Sequence, residues 1–145
     1  MAPEPVPFAL TLPSDLRLLS TARHFVESVC RNLNFDLAFC EAIQIATHEA
    51  VQNIMRHAHC GRPAALVQLQ IVPLEQGLEI RLFDEGDRFD ITCVPHLEPG
   101  ELRIGGRGVF LMRRMMDQVH SEPRSPQGNV LRMVKWDRAS CGNYA

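Results

Sequence analysis

THEAVQNIMRHAH, residues 47–59, decides how this chain folds. Glu49, Asn53 and His57 stand there at i, i+4 and i+8. A helix repeats every 3.6 residues, so this spacing puts the acid, the amide and the imidazole on one slowly drifting face, with Arg56 beside them. The other sides carry Ile43, Ala46, Ala50, Val51, Ile54 and Met55, enough apolar surface to bury the helix. On its own the polar row also fits the exposed stripe of an ordinary amphipathic helix. Buried, it would need a purpose, because unpaired polar groups are costly to remove from water.

Working upstream, the helix is expected over 37–59 with Asp36 as its N-cap, and Asn34-Phe35-Asp36 breaks it from a preceding helix. That earlier helix starts at Pro13-Ser14-Asp15 with Ser14 as N-cap. Leu16, Leu19, Phe25, Val26, Val29 and Leu33 recur at helical spacing, leaving Arg17, Arg23 and Glu27 for the outer face. Residues 8–12, FALTL, alternate as a short strand, and the prolines before them suit a loose arm or an edge.

Downstream, 60–63 reads as a turn. Residues 64–73 and 78–83 read as strands joined by Glu75-Gln76-Gly77 in a hairpin. Asp84-Glu85-Gly86-Asp87 ends the second strand. Residues 91–104 hold Pro95 and Pro99-Gly100, show no period, and read as a loop able to close as a lid. A helix follows Gly105-Gly106-Arg107-Gly108 through VFLMRRMMDQV, with Val109, Met112, Met115, Met116 and Val119 inward. Strands over 120–125 and 130–136, joined by Pro126-Gln127-Gly128, close the chain. The order β-α-α-β-β-α-β-β groups the helices instead of alternating them, which predicts an α+β, two-layer sandwich with helices on one face of a mostly antiparallel sheet.

With 145 residues, one domain over 1–145 is expected. A net charge of −2 gives no electrostatic case for nucleic acid, and no apolar run has the length of a membrane span. The N-terminus lacks the basic and apolar regions of a signal peptide. Five cysteines, odd in number and without a CxxC pair, suit reduced thiols in the cytoplasm. His57, His59 and Cys60 do not converge on one point of a helix, so no zinc site is expected.

The chemistry follows from three places. Gly105, Gly106 and Gly108 let backbone approach a ligand just where a helix N-terminus directs its amides outward, which suits a phosphate. Glycine at a helix start is also ordinary. Asp84 at a strand end is a short acceptor, either a turn aspartate or a partner for the exocyclic amine of a purine. Glu49 can serve as a base and Asn53 as an oxygen ligand for magnesium. Cradle, metal ligand and base together are the parts of a phosphoryl-transfer site.

These stretches resemble a known family. Glu49-Ala50-Val51-Gln52-Asn53 with His57 is similar to the N box of the Bergerat-fold (GHKL) ATPases. Residues 84–90, DEGDRFD, resemble their adenine-binding DxGxGF box, 105–111, GGRGVFL, their GGxGLxL box, and 128–133, GNVLRM, their closing GTxLxL strand. The EAVxN wording, the short loop between the second and third boxes and the MMDQV ending resemble the anti-sigma-factor serine/threonine kinases of bacterial partner-switching systems. The resemblance implies ATP and Mg2+ between helices and sheet. Asn53 would coordinate the metal, and Glu49 would orient or deprotonate the attacking hydroxyl. Asp84 would contact adenine, with Gly86 allowing close approach. Gly106, Arg107, Gly108 and Val109 would line the phosphates, and Asn129 would stand on the base side.

It implies, further, an anti-sigma factor that holds a sigma factor or an equivalent regulator and phosphorylates a small STAS-type antagonist on Ser or Thr, as a homodimer. The outer face of the first helix, with Arg17 and Arg23, is the expected docking face. Two positions depart from the pattern: Arg88 replaces the second glycine of the adenine box, and Asn129 replaces the usual threonine. Arg88 keeps open a non-catalytic switch that acts by sequestration alone.

Overall fold

The computed structural model describes residues 5–59, 62, 64–87 and 107–138. Strand β1 (Phe8–Pro13) is followed by a 3-10 turn (Leu16–Leu18), helix α1 (Leu19–Asn32) and helix α2 (Leu37–Asn53). A π-helical turn (Ile54–Ala58) extends α2. Then come β2 (Leu66–Leu74), β3 (Gly77–Asp84), α3 (Arg107–Met115), β4 (Gln118–Pro123) and β5 (Asn129–Trp136). The five strands form one sheet, ordered β1-β2-β3-β5-β4, with every pairing antiparallel.

The helices cover one face of that sheet. Leu12, Val67, Leu69, Ile71, Leu78, Ile80, Leu82, Leu131 and Met133 point into the core and alternate with outward residues such as Thr11, Gln68, Arg81 and Arg132. Helix α1 returns Leu19, Ala22, Val26, Val29 and Cys30, and α2 returns Phe39, Cys40, Ile43, Ala46, Ala50 and Val51. Cys30 and Cys40 are free thiols at the α1–α2 contact, and burial pushes the Cys30 thiol up to about 12.

Local chemistry sets the boundaries. Asp36 caps α2 by accepting the Phe39 N–H at 2.8 Å, a bond worth about 1 kcal/mol. Asn34, at φ 63°, turns the chain out of α1 through the left-handed conformation that asparagine tolerates.

Three expectations are corrected. Asp15, not Ser14, caps the first helical segment, because its carboxylate receives the Arg17 N–H at 2.9 Å, and Leu16 is exposed. The helix expected over 37–59 changes to a π turn after Asn53. The third helix stops at Met115, where Lys135 Nζ caps the Met115 carbonyl at 2.8 Å, so Gln118 and Val119 begin β4. The expected lid, 91–104, lies outside the described residues, as do Arg88, Gly105 and Gly106. Among the described residues no helix is long and apolar enough to cross a membrane.

Candidate functional site

Helix α2 carries Glu49 and Asn53 on its flank, both half-buried, while the neighbouring Ala50, Val51 and Ile54 fill the core. The start of α3 packs across them. A methyl group placed on Gly108 would lie 2.9 Å from Glu49 Oε2, 3.1 Å from Asn53 Nδ2 and 3.6 Å from Glu49 Cβ. Only a residue without Cβ lets the glycine-led helix start come this close to the acid and the amide. The next residue, Val109, is 3% exposed and belongs to the core, so only its backbone can face a ligand. Of Arg107, the structure describes the backbone position at the first residue of α3.

The sheet brings Asp84 to the opposite wall. Asp84 is 1% exposed, and its Oδ1 accepts the Gly86 N–H at 2.9 Å and the Asn129 Nδ2–H at 3.0 Å. The first bond is an Asx turn, the ordinary reason for an aspartate there. The second crosses the β3–β5 ladder, where Asp84 pairs with Asn129. Asn129 Nδ2 also donates to the Asp87 carbonyl at 2.9 Å, tying β5 to the loop after β3. Asn129 thus contacts the aspartate that the motif assigns to adenine. Gly86 abuts the end of the π turn, since a Cβ there would lie 2.4 Å from the Ala58 carbonyl oxygen. Asn53, Ile54, Ala58, Asp84, Ser121, Asn129 and Leu131 enclose a crevice of about 10 Å³ between the layers.

The π turn separates His57 from the other two members of its predicted face. The His59 N–H bonds back five residues to the Ile54 carbonyl at 2.9 Å, and the wider turn shifts the phase of everything after Asn53. His57 is consequently exposed. His59 is fully buried, and neither ring nitrogen has a partner among the described residues. Burial holds its pKa below the ordinary imidazole value, Asp84 opposes that shift and Arg62 adds to it.

Sequence reasoning gave His59 no role beyond an unconvincing metal ligand, and it passed over Arg124, which donates to the Asp84 carbonyl at 3.0 Å. Nothing local marks Arg124, because its partner lies forty residues away.

For a divalent ion, Asn53 offers an amide oxygen and Glu49 a carboxylate beside it. Among the described residues no cluster of three or more His, Cys, Asp or Glu side chains could hold a metal alone. This sparse set fits magnesium, which keeps waters and takes phosphate oxygens, and does not fit a structural zinc.

An all-antiparallel sheet with helices on one side, carrying these four boxes in this order, defines the chain as an ATPase-type domain of the Bergerat class. The histidine kinase-like ATPase domain profile matches residues 12–135, and the chain belongs to that family. It is 30% identical over 118 residues to the serine-protein kinase RsbW of Listeria monocytogenes serotype 4a (strain HCC23), covering 76% of this chain and 75% of that one. It is 28% identical over 141 residues to RsbW of Halalkalibacterium halodurans, covering 92% and 85%. The crystal structure of the RsbU and RsbW domains of Rv1364c from Mycobacterium tuberculosis superposes with a TM-score of 0.64 at 13% identity, over 90% of this chain. The present chain spans 32% of that longer one, and the likeness bears on the fold alone.

Proposed function

We propose that this protein is a cytoplasmic, ATP-dependent serine/threonine protein kinase that also acts as an anti-sigma factor. It binds ATP with Mg2+, sequesters a sigma factor or an equivalent regulator, and phosphorylates a small STAS-type antagonist on Ser or Thr. The observation that carries this reading is the approach of Gly108 to Glu49 and Asn53. It puts the start of a helix, where amides point at anions, directly over an acid and an amide one turn apart.

In this reading Asp84 accepts the exocyclic amine of adenine, and Asn129 fixes the carboxylate that does so. Gly106, Arg107, Gly108 and the Val109 backbone face the phosphates. Asn53 would hold the magnesium ion, which when bound neutralises phosphate charge. Glu49 orients the antagonist hydroxyl and takes its proton. Arg17, 88% exposed on its side chain and paired with Asp15 at 2.7 Å, stays available with Arg23 on the outer face as the docking surface for partners.

A second reading, sequestration without phosphoryl transfer, rests on Arg88, which stands in place of the second glycine of the adenine box. Two variants separate the readings. Asn53→Ala should lose both ATP binding and transfer. Glu49→Ala should bind ATP normally while transfer from labelled ATP to the antagonist falls about 10²–10⁴-fold, as for loss of a general base. A parent protein that holds its partners and labels no antagonist would leave the sequestration reading standing. Normal transfer by Glu49→Ala would remove the base assignment.

A further inference from the structure

A second cavity, of about 740 Å³, opens behind Asp84 and away from the Glu49–Asn53 pair. Its walls include Thr11, Gln68 and Phe83, which alternate with the core residues Leu12, Val67 and Leu82 and therefore belong to the uncovered face of the sheet. It continues to His59 and Arg62 beyond the π turn and to Arg124 after β4. A volume of this order accommodates a small organic ligand.

We propose that this cavity binds a small organic anion, a carboxylate or phosphate carried on an apolar body. Two guanidinium groups line it. Arg62 uses Nε and Nη2 on the His59 and Ala58 carbonyls, at 2.9 and 3.0 Å, with Asp87 Oδ1 3.3 Å from Nη2. Arg124 uses Nη1 on the Asp84 carbonyl and lies over the Phe83 ring, 5.5 Å from its centroid. Nη1 of Arg62, and Nε and Nη2 of Arg124, have no partner among the described residues. They are the fork of donors that carboxylate and phosphate oxygens fit. Of the two acidic residues on the wall, Asp84 already has Oδ1 bonded toward Asn129, and Glu85 is exposed.

His59 closes the inner end of the cavity. A fully buried imidazole with both nitrogens unpaired is a group that native interiors rarely leave unsatisfied. Leu66, Ala64 and the Phe83 ring give the apolar floor that distinguishes an organic anion from a bare one.

The test uses the full chain, 15N-labelled and free of nucleotide, titrated with benzoate, phenyl phosphate, benzamide and inorganic phosphate. Reading binding without nucleotide keeps this result separate from the outcome for ATP. Benzoate or phenyl phosphate should shift the amides of Phe83, Glu85 and Gly86 saturably, with Kd in the low millimolar range or tighter. Arg124→Gln should weaken binding about tenfold or more, whereas Arg23→Gln on the far surface should not. Because Arg124 also holds the Asp84 carbonyl, Gln68→Phe is measured beside it. That variant narrows the cavity at its sheet wall without removing an arginine bond, and it should weaken the shifts in a protein whose spectrum stays dispersed. Benzamide binding as well as benzoate, inorganic phosphate binding as well as phenyl phosphate, unsaturable shifts, or full binding by a folded Gln68→Phe would each overturn the proposal.

Discussion

Adding one methyl group at Gly108 should separate catalysis from stability. A Cβ there would stand 2.9 Å from Glu49 Oε2 and 3.1 Å from Asn53 Nδ2. Restoring ordinary contact near 3.4 Å requires the carboxylate to retreat by about 0.5 Å and the amide by about 0.3 Å. Both atoms are the far ends of flexible side chains, so the backbone need not move. Gly108 is the second residue of α3, where alanine recovers part of the roughly 1 kcal/mol that glycine loses in a helix interior. Gly108→Ala should therefore melt within about 0.5 kcal/mol of the parent, in either direction. Transfer should suffer much more, because a base displaced by half an ångström or more loses alignment, at a cost of about 10- to 100-fold. Thermal melts, ATP calorimetry and transfer of label to the antagonist measure the three quantities. Parent-like transfer in a folded Gly108→Ala protein would show that Glu49 has no positional role in the chemistry.

Asp84→Asn keeps an oxygen for the Gly86 N–H and the Asn129 amide but loses the second carboxylate oxygen. ATP affinity measured by calorimetry should fall by about 1–3 kcal/mol with little change in melting, and an unchanged affinity would take Asp84 out of the nucleotide pocket. His59 titrates below its unfolded value, so above the unfolded pKa of about 6.5 both states are neutral and His59 contributes no pH dependence. As pH falls through that value the unfolded chain binds a proton that the folded one refuses, and stability drops by at most about 1.4 kcal/mol per unit for this one group. Urea melts at pH 7.5 and 5.5 should show the drop, and His59→Phe should reduce it; an equal drop in the variant would assign it to another group. Gly128, at φ +108° with a would-be Cβ 2.1 Å from the Asp84 carbonyl oxygen, cannot take a side chain without moving backbone, so Gly128→Ala should cost about 2–4 kcal/mol in chemical denaturation. Parent-like stability there would mean that the turn rebuilds freely.

What could be read from the sequence was local. Asp36 as a cap, the hairpin around Glu75-Gln76-Gly77 and the apolar spacing of α1 and α2 all depend on residues within a turn or two of each other; the structure has the cap and the hairpin, with Gly77 already in β3. The misreading at the end of α3 depends on distance. Met112, Met116 and Val119 continue a helical rhythm, yet Val119 reaches the core from a strand. The Asp117 N–H bonds the Val134 carbonyl, and the Asp117 carboxylate accepts the Trp136 N–H. Those partners, 17 and 19 residues away, end α3 early, and a short apolar run fits either period. The acid and amide of the site were legible because they share a helix. The family resemblance put Gly108 against the phosphates, while its contact with Glu49 and Asn53 is a matter of packing between α2 and α3.

The end of the helix at Ala58 holds the two walls of the candidate site in register. Glu49 and Asn53 ride on the helix layer, and Asp84 rides on the sheet, so some bond must fix one layer against the other. The Ala58 carbonyl is that point. It accepts the Asp87 N–H at 2.8 Å and Arg62 Nη2 at 3.0 Å, and Gly86 packs flush against it. Ala58 is the last residue of the helical segment, so its carbonyl has no partner within the helix. Its place at the helix end leaves it for the loop after β3, which through Asn129 also holds Asp84. The end of this helix thus joins the acid–amide pair to the buried aspartate. It also buries His59 on the far side of the joint, where the second cavity begins.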